Sequence, residues 1–441
     1  MASVSLALTT DRYELTMAAS YLSRGMTQSA TFSLFVRDLP PDRGFLVAAG
    51  LDDVLGVLEN FAFDNDDLAW LAGHGFDRGA LDDFATLRFT GDVWAIPEGH
   101  VVFPNEPLLE VTAPLPEAQI VESILLNQVT YQSALATKAA RCRLAARGRA
   151  SLVDFSLRRT HGIAAALAAA RAAAIAGFAG TSNVDAARRL GIPAVGTMAH
   201  SYIEAFPTER EAFVAFATDF PDRPAFLVDT YDTVAGVETA LDVAATLNIR
   251  GNLAVRIDSG DLLDLSKRAR GVLDAAGRPD VKIIVSGGLD EFDVERLLNE
   301  RAPIDTFGVG TRVGVSADAP SLETVYKLVE YAGRPTMKLS VGKQTNPGAK
   351  QVYRPISGTG DILSERSELA PPGTAPLLVE VMRSGKRTHA PEKIALAAGR
   401  LAADLMQLPQ SALALRSPTV PHVRMSDQLQ RLTRQVAESY R

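Results

Sequence analysis

The sequence predicts an α/β fold whose central part is a TIM-like α/β barrel, with a second α/β domain beside it. Three observations carry this. Between Ser151 and Gly310, short β-branched apolar runs alternate with Ala- and Leu-rich stretches, as when parallel strands are each followed by a helix. Seven such runs occur, which suits a barrel better than a sandwich. Each run ends in polar residues, as barrel strands do where their loops converge over the mouth.

Taken in order, residues 1–115 mix helix with short strands, Ala30–Arg37 and Leu87–Trp94 among them, and read as an N-terminal α/β domain. Residues 116–335 read as the catalytic barrel. Its entry, Glu117–Ala146, has apolar residues at helical spacing and predicts one or two helices. The strands begin near Leu152, Ala174, Pro193, Ala225, Leu253, Val281 and Ile304. Helices are expected over Ile163–Ala173, Asn183–Leu190, Val234–Leu247, Asp261–Ala276 and Asp290–Asn299, three of them opened by the capping residues Asn183, Asp261 and Asp290. Residues 336–441 form a C-terminal segment expected to pack on the N-terminal domain. It holds a Pro-Pro-Gly surface excursion within Glu365–Ala375 and ends in an amphipathic helix from about Ser426.

Composition narrows the function classes. The chain has 47% hydrophobic and 22% charged residues, the balance of a globular enzyme rather than a disordered or membrane protein. A net charge of -7 argues against general affinity for nucleic acid. The single cysteine, Cys142, excludes an internal disulfide framework and is read as a structural helix residue. No apolar run reaches the ~20 residues of a membrane span, and the N-terminus lacks a signal-like pattern. A cytoplasmic protein without nucleic-acid or membrane partners is the expectation.

The strand ends supply the chemistry. Arg158 and Arg159 follow the first run, Thr181-Ser182-Asn183 the second and His200-Ser201 the third; Asp229 and Tyr231, Arg256 and Asp258, Ser286-Gly287-Gly288 and Gly308-Val309-Gly310-Thr311 follow the others. The glycines would let backbone N–H groups approach anionic oxygens, with helix N-termini behind them, so a phosphate-bearing substrate is the natural reading; tight turns alone are the plainer one. His200 stands where a strand gives way to a helix and could act as acid, base or nucleophile. His161 is its rival, with a helix-start role favoured. Arg256 and Asp258 alternate on a strand and face one side, either as a buried ion pair or with Arg on a diphosphate and Asp on ribose hydroxyls or Mg2+.

These stretches resemble the nicotinate phosphoribosyltransferase family over nearly the whole chain. The motifs are Leu8–Met17, Phe32–Arg37, Phe155–Arg159, Gly180–Asn183, Gly196–Ser201, Asp229–Thr233, Arg256–Asp261, Phe307–Thr311, Val325–Leu328 and Met337–Ser340. The resemblance implies an irregular α/β barrel plus a domain made by both chain ends, in a head-to-tail homodimer with shared active sites. It implies synthesis of nicotinate mononucleotide and pyrophosphate from nicotinate and phosphoribosyl pyrophosphate in NAD biosynthesis (salvage), with Mg2+, and with ATP as co-substrate through phosphorylation of His200. Tyr13 would stack on the pyridine ring from the partner subunit. Arg37, Lys327 and Lys338 would contact phosphates, and Arg158, Thr181 and Ser182 would hold the nicotinate carboxylate. The chain departs from the family pattern at Ser156, Gly288 and Arg312.

Other readings are distinguishable. A site selecting nicotinamide commonly offers a carboxylate to the amide NH2, and Gly-Thr-Ser-Asn has none at that point. Quinolinate would call for more basic residues than Arg158 and Arg159. A non-catalytic nucleotide-binding barrel has no need of His200, Arg256 and Asp258 together. A Schiff-base lysine would have to be Lys282, which lies at the start of its strand.

Overall fold

The computed structural model describes residues 5–440 apart from 223, 341, 357 and 359. The chain divides into two compact units: Met1–Ala134 with Ser321–Arg441, and Leu135–Pro320. The divisions fall inside a long helix, Glu122–Ala146, and just ahead of the strand Thr324–Tyr331, not at 115/116 and 335/336. Hydrogen bonding sets them: Thr324–Tyr331 pairs antiparallel with Ser29–Val36, so it belongs to the first unit although it directly follows the barrel sequence.

The first unit is built on a seven-stranded sheet that mixes both chain ends. Ser29–Val36 lies between Thr324–Tyr331 and Pro107–Pro114, and Val379–Arg383 pairs with Asp92–Ala95. Seven of the eight residues of Ser29–Val36 are buried, the continuous run of a strand covered on both faces. Its core includes Leu34, Val36, Phe84, Val93 and Val111, and Phe32 stacks on Tyr326 with ring centroids 4.8 Å apart. Glu110, fully buried, is matched by Lys350 at 3.1 Å and Arg366 at 2.5 Å and accepts from Ser33. The expected strand Leu87–Trp94 is shorter, Asp92–Ala95, because Gly91 packs against Ala113 and Thr112 O and Leu87–Gly91 run as loop. Glu117–Ala146 is two helices, Leu115–Ile120 and Glu122–Ala146. The terminal helix is Asp427–Ser439, capped by Ser426.

The second unit holds a parallel sheet of β1 (Ser151–Asp154), β2 (Ala225–Leu227), β3 (Ala254–Ile257), β4 (Lys282–Val285) and β5 (Thr306–Val309), in the order β1-β5-β4-β3-β2. Parallel bridges from Asp154 to Thr181 and from Thr181 to Ala194 extend it beyond β1. Reading across the sheet gives β2, β3, β4, β5, β1, Thr181 and Ala194, which is the chain order of the seven runs wrapped into a cycle, the winding of a barrel. Among the described residues no pairing closes the seam between Ala194 and β2.

Two expected strands are thus corrected. Ala174 and Ile175 are the last turn of the helix Ile163–Ile175, because its alanine-rich sequence continues the helix to Gly177, and this strand position shrinks to Thr181. The Pro193 run pairs only at Ala194, proline having no N–H to give the ladder. The helices after the strands agree closely with the sequence reading: Val184–Leu190, Leu262–Ala275 and Glu291–Asn299 are capped by the side chains of Asn183, Asp261 and Asp290. Cys142 is buried in the long helix, and burial pushes its thiol pKa well up.

Candidate active site

The strand ends of the second unit enclose a cavity of about 410 Å³. One side of it is the segment after β1, where Phe155, Arg158 and Arg159 line the cavity with Ser182 beside them. Arg158 and Arg159 are exposed on a short 3-10 turn, Leu157–Arg159, and neither guanidinium has an ion-pair partner among the described residues. Another side is formed by Ser286, Gly287 and Gly288 after β4 and by Gly308, Gly310 and Thr311 at β5. The floor is Arg256 and Asp258, with Thr197 and Met198 alongside.

The Arg256–Asp258 pair is the best-defined part. Arg256 reaches Asp258 at 2.6 Å, Ser286 Oγ at 2.8 Å and Thr197 Oγ1 at 2.9 Å, and its guanidinium lies 5.4 Å from the Phe155 ring centroid. Ser286 also donates to Asp258. Burial raises the Asp258 pKa, but the Ser286 hydrogen bond, Arg256 and the nearby charge of His200 outweigh it and hold the carboxyl below its ordinary range. The pair is therefore the ion pair of the first sequence reading, and both residues line the cavity.

Two of the glycines are required by packing. Gly287 has φ +115°, and a Cβ there would lie 2.3 Å from Asp258 O. At Gly308 a Cβ would meet the Phe155 ring at 2.6 Å. Gly288 faces open space, so the departure there leaves room rather than filling it. The serine at 156 is matched by a glycine across from it, since a Cβ on Gly314 would lie 2.7 Å from Ser156 Cβ. Arg312 turns to the helix cap, pairing with Asp290 at 2.7 Å and Asp293 at 3.2 Å.

Not every expected residue lines the cavity. Thr181 is fully buried, and its Oγ1 donates to Asp154 at 2.6 Å while accepting from Asn183 N. His200 begins the helix His200–Glu204, one residue beyond the lining Ala199, with Nδ1 3.1 Å from Thr230 Oγ1. His161 is exposed just ahead of the helix Ile163–Ile175. Lys282 pairs with Asp305 at the opening residue of β4, away from the strand ends that form the cavity.

Tyr13, Arg37, Lys327 and Lys338 belong to the first unit. Tyr13, half exposed on the first turn of the helix Arg12–Ser23, has its pKa raised by burial and by Glu122, Glu14 and Asp11. Arg37 has a buried Nε without a hydrogen-bond partner. Lys327 lies 3.7 Å from Glu122, and the Lys338 backbone is tied to Thr345.

Sequence reasoning gave no site role to Phe155, Thr197 or Asp154. Asp154 and Phe155 sit within LVDFS, where strand-end position was the available signal. At the strand end after β2, Asp229 ties two loops together: its Oδ2 accepts from Asp258 N at 2.9 Å and Ser259 Oγ at 2.7 Å, and its Oδ1 is buried without a donor among the described residues.

Comparison with known proteins gives the family. The nicotinate phosphoribosyltransferase (NAPRTase) N-terminal domain matches residues 8–130, and the nicotinate phosphoribosyltransferase (NAPRTase) family matches residues 150–354. The chain is 51% identical over 392 residues to nicotinate phosphoribosyltransferase pncB2 of Mycobacterium tuberculosis, covering 87% of this chain and 84% of the relative. It is 44% identical over 363 residues to the Bacillus subtilis nicotinate phosphoribosyltransferase, covering 80% and 74%. The crystal structure of human nicotinic acid phosphoribosyltransferase superposes with a TM-score of 0.86 at 29% identity over 97% of this chain and 99% of that one. The chain belongs to the nicotinate phosphoribosyltransferase family.

Proposed function

We propose that this protein transfers the phosphoribosyl group of phosphoribosyl pyrophosphate to nicotinate, forming nicotinate mononucleotide and pyrophosphate in the salvage branch of NAD biosynthesis. The observation that carries the acceptor assignment is the pair of exposed guanidinium groups, Arg158 and Arg159, beside Ser182 and without an ion-pair partner among the described residues. A planar carboxylate takes bidentate guanidinium and hydroxyl donors. The one carboxylate among the lining residues, Asp258, is already engaged by Arg256, so nothing there is free to select an amide NH2. Phe155 offers the pyridine ring an apolar wall.

The backbone around Gly287, Gly288 and Gly310 suits phosphate oxygens, and Asp258 is held ionised where positive charge develops on the ribose ring as its C1–pyrophosphate bond breaks and the bond from C1 to the pyridine nitrogen forms. Mg2+ would assist the departing pyrophosphate by neutralising its charge. The described residues hold no cluster of three or more metal-ligating side chains. Asp229, whose Oδ1 is buried without a hydrogen-bond donor and whose Oδ2 is tied to Asp258 N, is the residue that would hold the ion beside the site.

ATP enters this reading as a co-substrate that phosphorylates His200. The half-buried imidazole, hydrogen-bonded to Thr230 and close enough to Asp258 to affect its pKa, supports this reading, because a phosphoryl group there would change the charge near the cavity. The active form is read as a homodimer in which Tyr13 completes the partner's site. Mononucleotide formation from nicotinate and from nicotinamide, each with and without ATP, tests the assignment in native protein and His200→Ala. Nicotinate use stimulated by ATP, with the stimulation lost in His200→Ala, is expected. Consumption of nicotinamide instead would overturn the acceptor assignment, and consumption of neither would favour a nucleotide-binding barrel without catalysis.

A further inference from the structure

The acceptor assignment leaves open what holds the carboxylate-binding groups in register, since Arg158 and Ser182 come from different loops and Arg158 is exposed. The geometry points to one side chain. Asp154, the last residue of β1, is 1% exposed. Its Oδ1 accepts from Ser156 N at 2.9 Å, the residue that caps the turn carrying Arg158 and Arg159. Its Oδ2 accepts from Thr181 Oγ1 at 2.6 Å. The same threonine oxygen then accepts from Asn183 N at 3.0 Å, while Ser182 N donates to Asp154 O at 2.8 Å. One buried carboxylate therefore staples the arginine turn to the Ser182 loop.

We infer that Asp154, acting through Thr181, is a positioning residue that sets the spacing of Arg158 and Ser182 and so tunes the site for a planar aromatic carboxylate. The inference rests on the nicotinate reading above. It also explains why Thr181, fully buried, lies off the cavity surface: its hydroxyl is used behind the site. The side chain of Asp154 makes no hydrogen bond to the glycine loops after β4 and β5 among the described residues. Its backbone register with Val309 does not depend on the carboxylate. Loss of the staple should therefore loosen the acceptor half of the cavity and spare the phosphate half.

The test is steady-state kinetics with both substrates varied, on native protein, Thr181→Val, Thr181→Ser, Asp154→Asn and Thr181→Val/Asp154→Asn. Thr181→Val keeps the volume and removes the hydroxyl; it should raise KM for nicotinate about tenfold and leave KM for phosphoribosyl pyrophosphate within about twofold. Thr181→Ser restores the hydroxyl and should return KM to the native value. Asp154→Asn should mimic Thr181→Val, and the double variant should be little worse than either, since both break one link. If Asp154→Asn does not fold, the Thr181→Val and Thr181→Ser pair decides. A folded Thr181→Val with native KM for nicotinate, or one in which both KM values rise together, would overturn the inference while leaving the function intact. Native protein without saturable use of nicotinate would overturn the functional assignment itself, and the inference with it.

Discussion

Replacing Arg256 by methionine removes the cation at the centre of the cavity floor and keeps the length of its aliphatic stem. The guanidinium gives up hydrogen bonds of 2.6, 2.8 and 2.9 Å to Asp258, Ser286 and Thr197. The Arg256 and Asp258 side chains are 12% and 28% exposed, so Asp258 is left as a mostly buried carboxylate with Ser286 as its remaining side-chain donor among the described residues. Removing one partner of a fully buried pair costs about 3–5 kcal/mol, and the partial exposure here places the expected loss near ~3 kcal/mol at neutral pH. For a unit of this size each kcal/mol shifts Tm by about 2–4 °C, which gives a fall of roughly 6–12 °C.

The pH dependence fixes the cause. The Asp258 pKa is depressed in the folded protein, so its contribution is fully present above the unfolded value of about 3.9 and is lost as pH falls through the folded value. Differential scanning calorimetry of native protein and Arg256→Met should show the widest Tm gap at neutral pH and a narrowing gap below about pH 4. Nucleotide formation by the variant should fall at least 100-fold, in line with the loss of a positioned electrostatic group. A Tm gap independent of pH, or a variant as stable as the native protein, would refute the assignment of the pair as a coupled, mostly buried ion pair.

Other outcomes follow from single features. Glu209 has its pKa raised to about 7 by burial and by Asp232. A raised folded-state value means that stability is lost as pH rises through it, so Glu209→Gln should match the native Tm at pH 4 and exceed it at pH 8; equal Tm at both would discard the shift. Gly287→Ala forces a side chain onto Asp258 O at 2.3 Å with φ +115°. A stability loss of about 1–3 kcal/mol in urea denaturation, with nucleotide formation reduced more than tenfold, is expected, and native behaviour would mean the loop has slack. Ser182→Asp places a carboxylate beside Arg158 and Arg159. It should raise KM for nicotinate by at least about tenfold, through repulsion and neutralisation of the arginines, and an unchanged KM would remove Ser182 from the acceptor site.

Much of the second unit is legible in the sequence, because its signals are local. The helix caps Asn183, Asp261 and Asp290 declare helix starts within three residues, and β-branched runs such as KIIV make strands wherever both faces are covered. The same locality explains the misplaced strand at Ala174: an alanine-rich stretch satisfies its backbone as helix until Gly177 stops it. Strand ends drew attention to Arg158, Ser182, Arg256, Asp258, Ser286 and the glycines, and these meet at one cavity because parallel strands bring every carboxyl end to the same side.

By itself the sequence determined the α/β class, the order of the parallel units, the polar strand ends and the family likeness. Tertiary structure decided the contacts between residues far apart in the chain. That Thr324–Tyr331 leaves the barrel to pair with Ser29–Val36 is a matter of long-range hydrogen bonding, invisible to any local window. That Thr181 serves Asp154 from behind, and that Gly287 and Gly308 are glycines because Asp258 O and the Phe155 ring occupy the space, depends on neighbours brought within 3 Å by folding. Local propensity selects the elements; steric exclusion and the need to satisfy buried polar groups determine which side chain faces the cavity and which supports it.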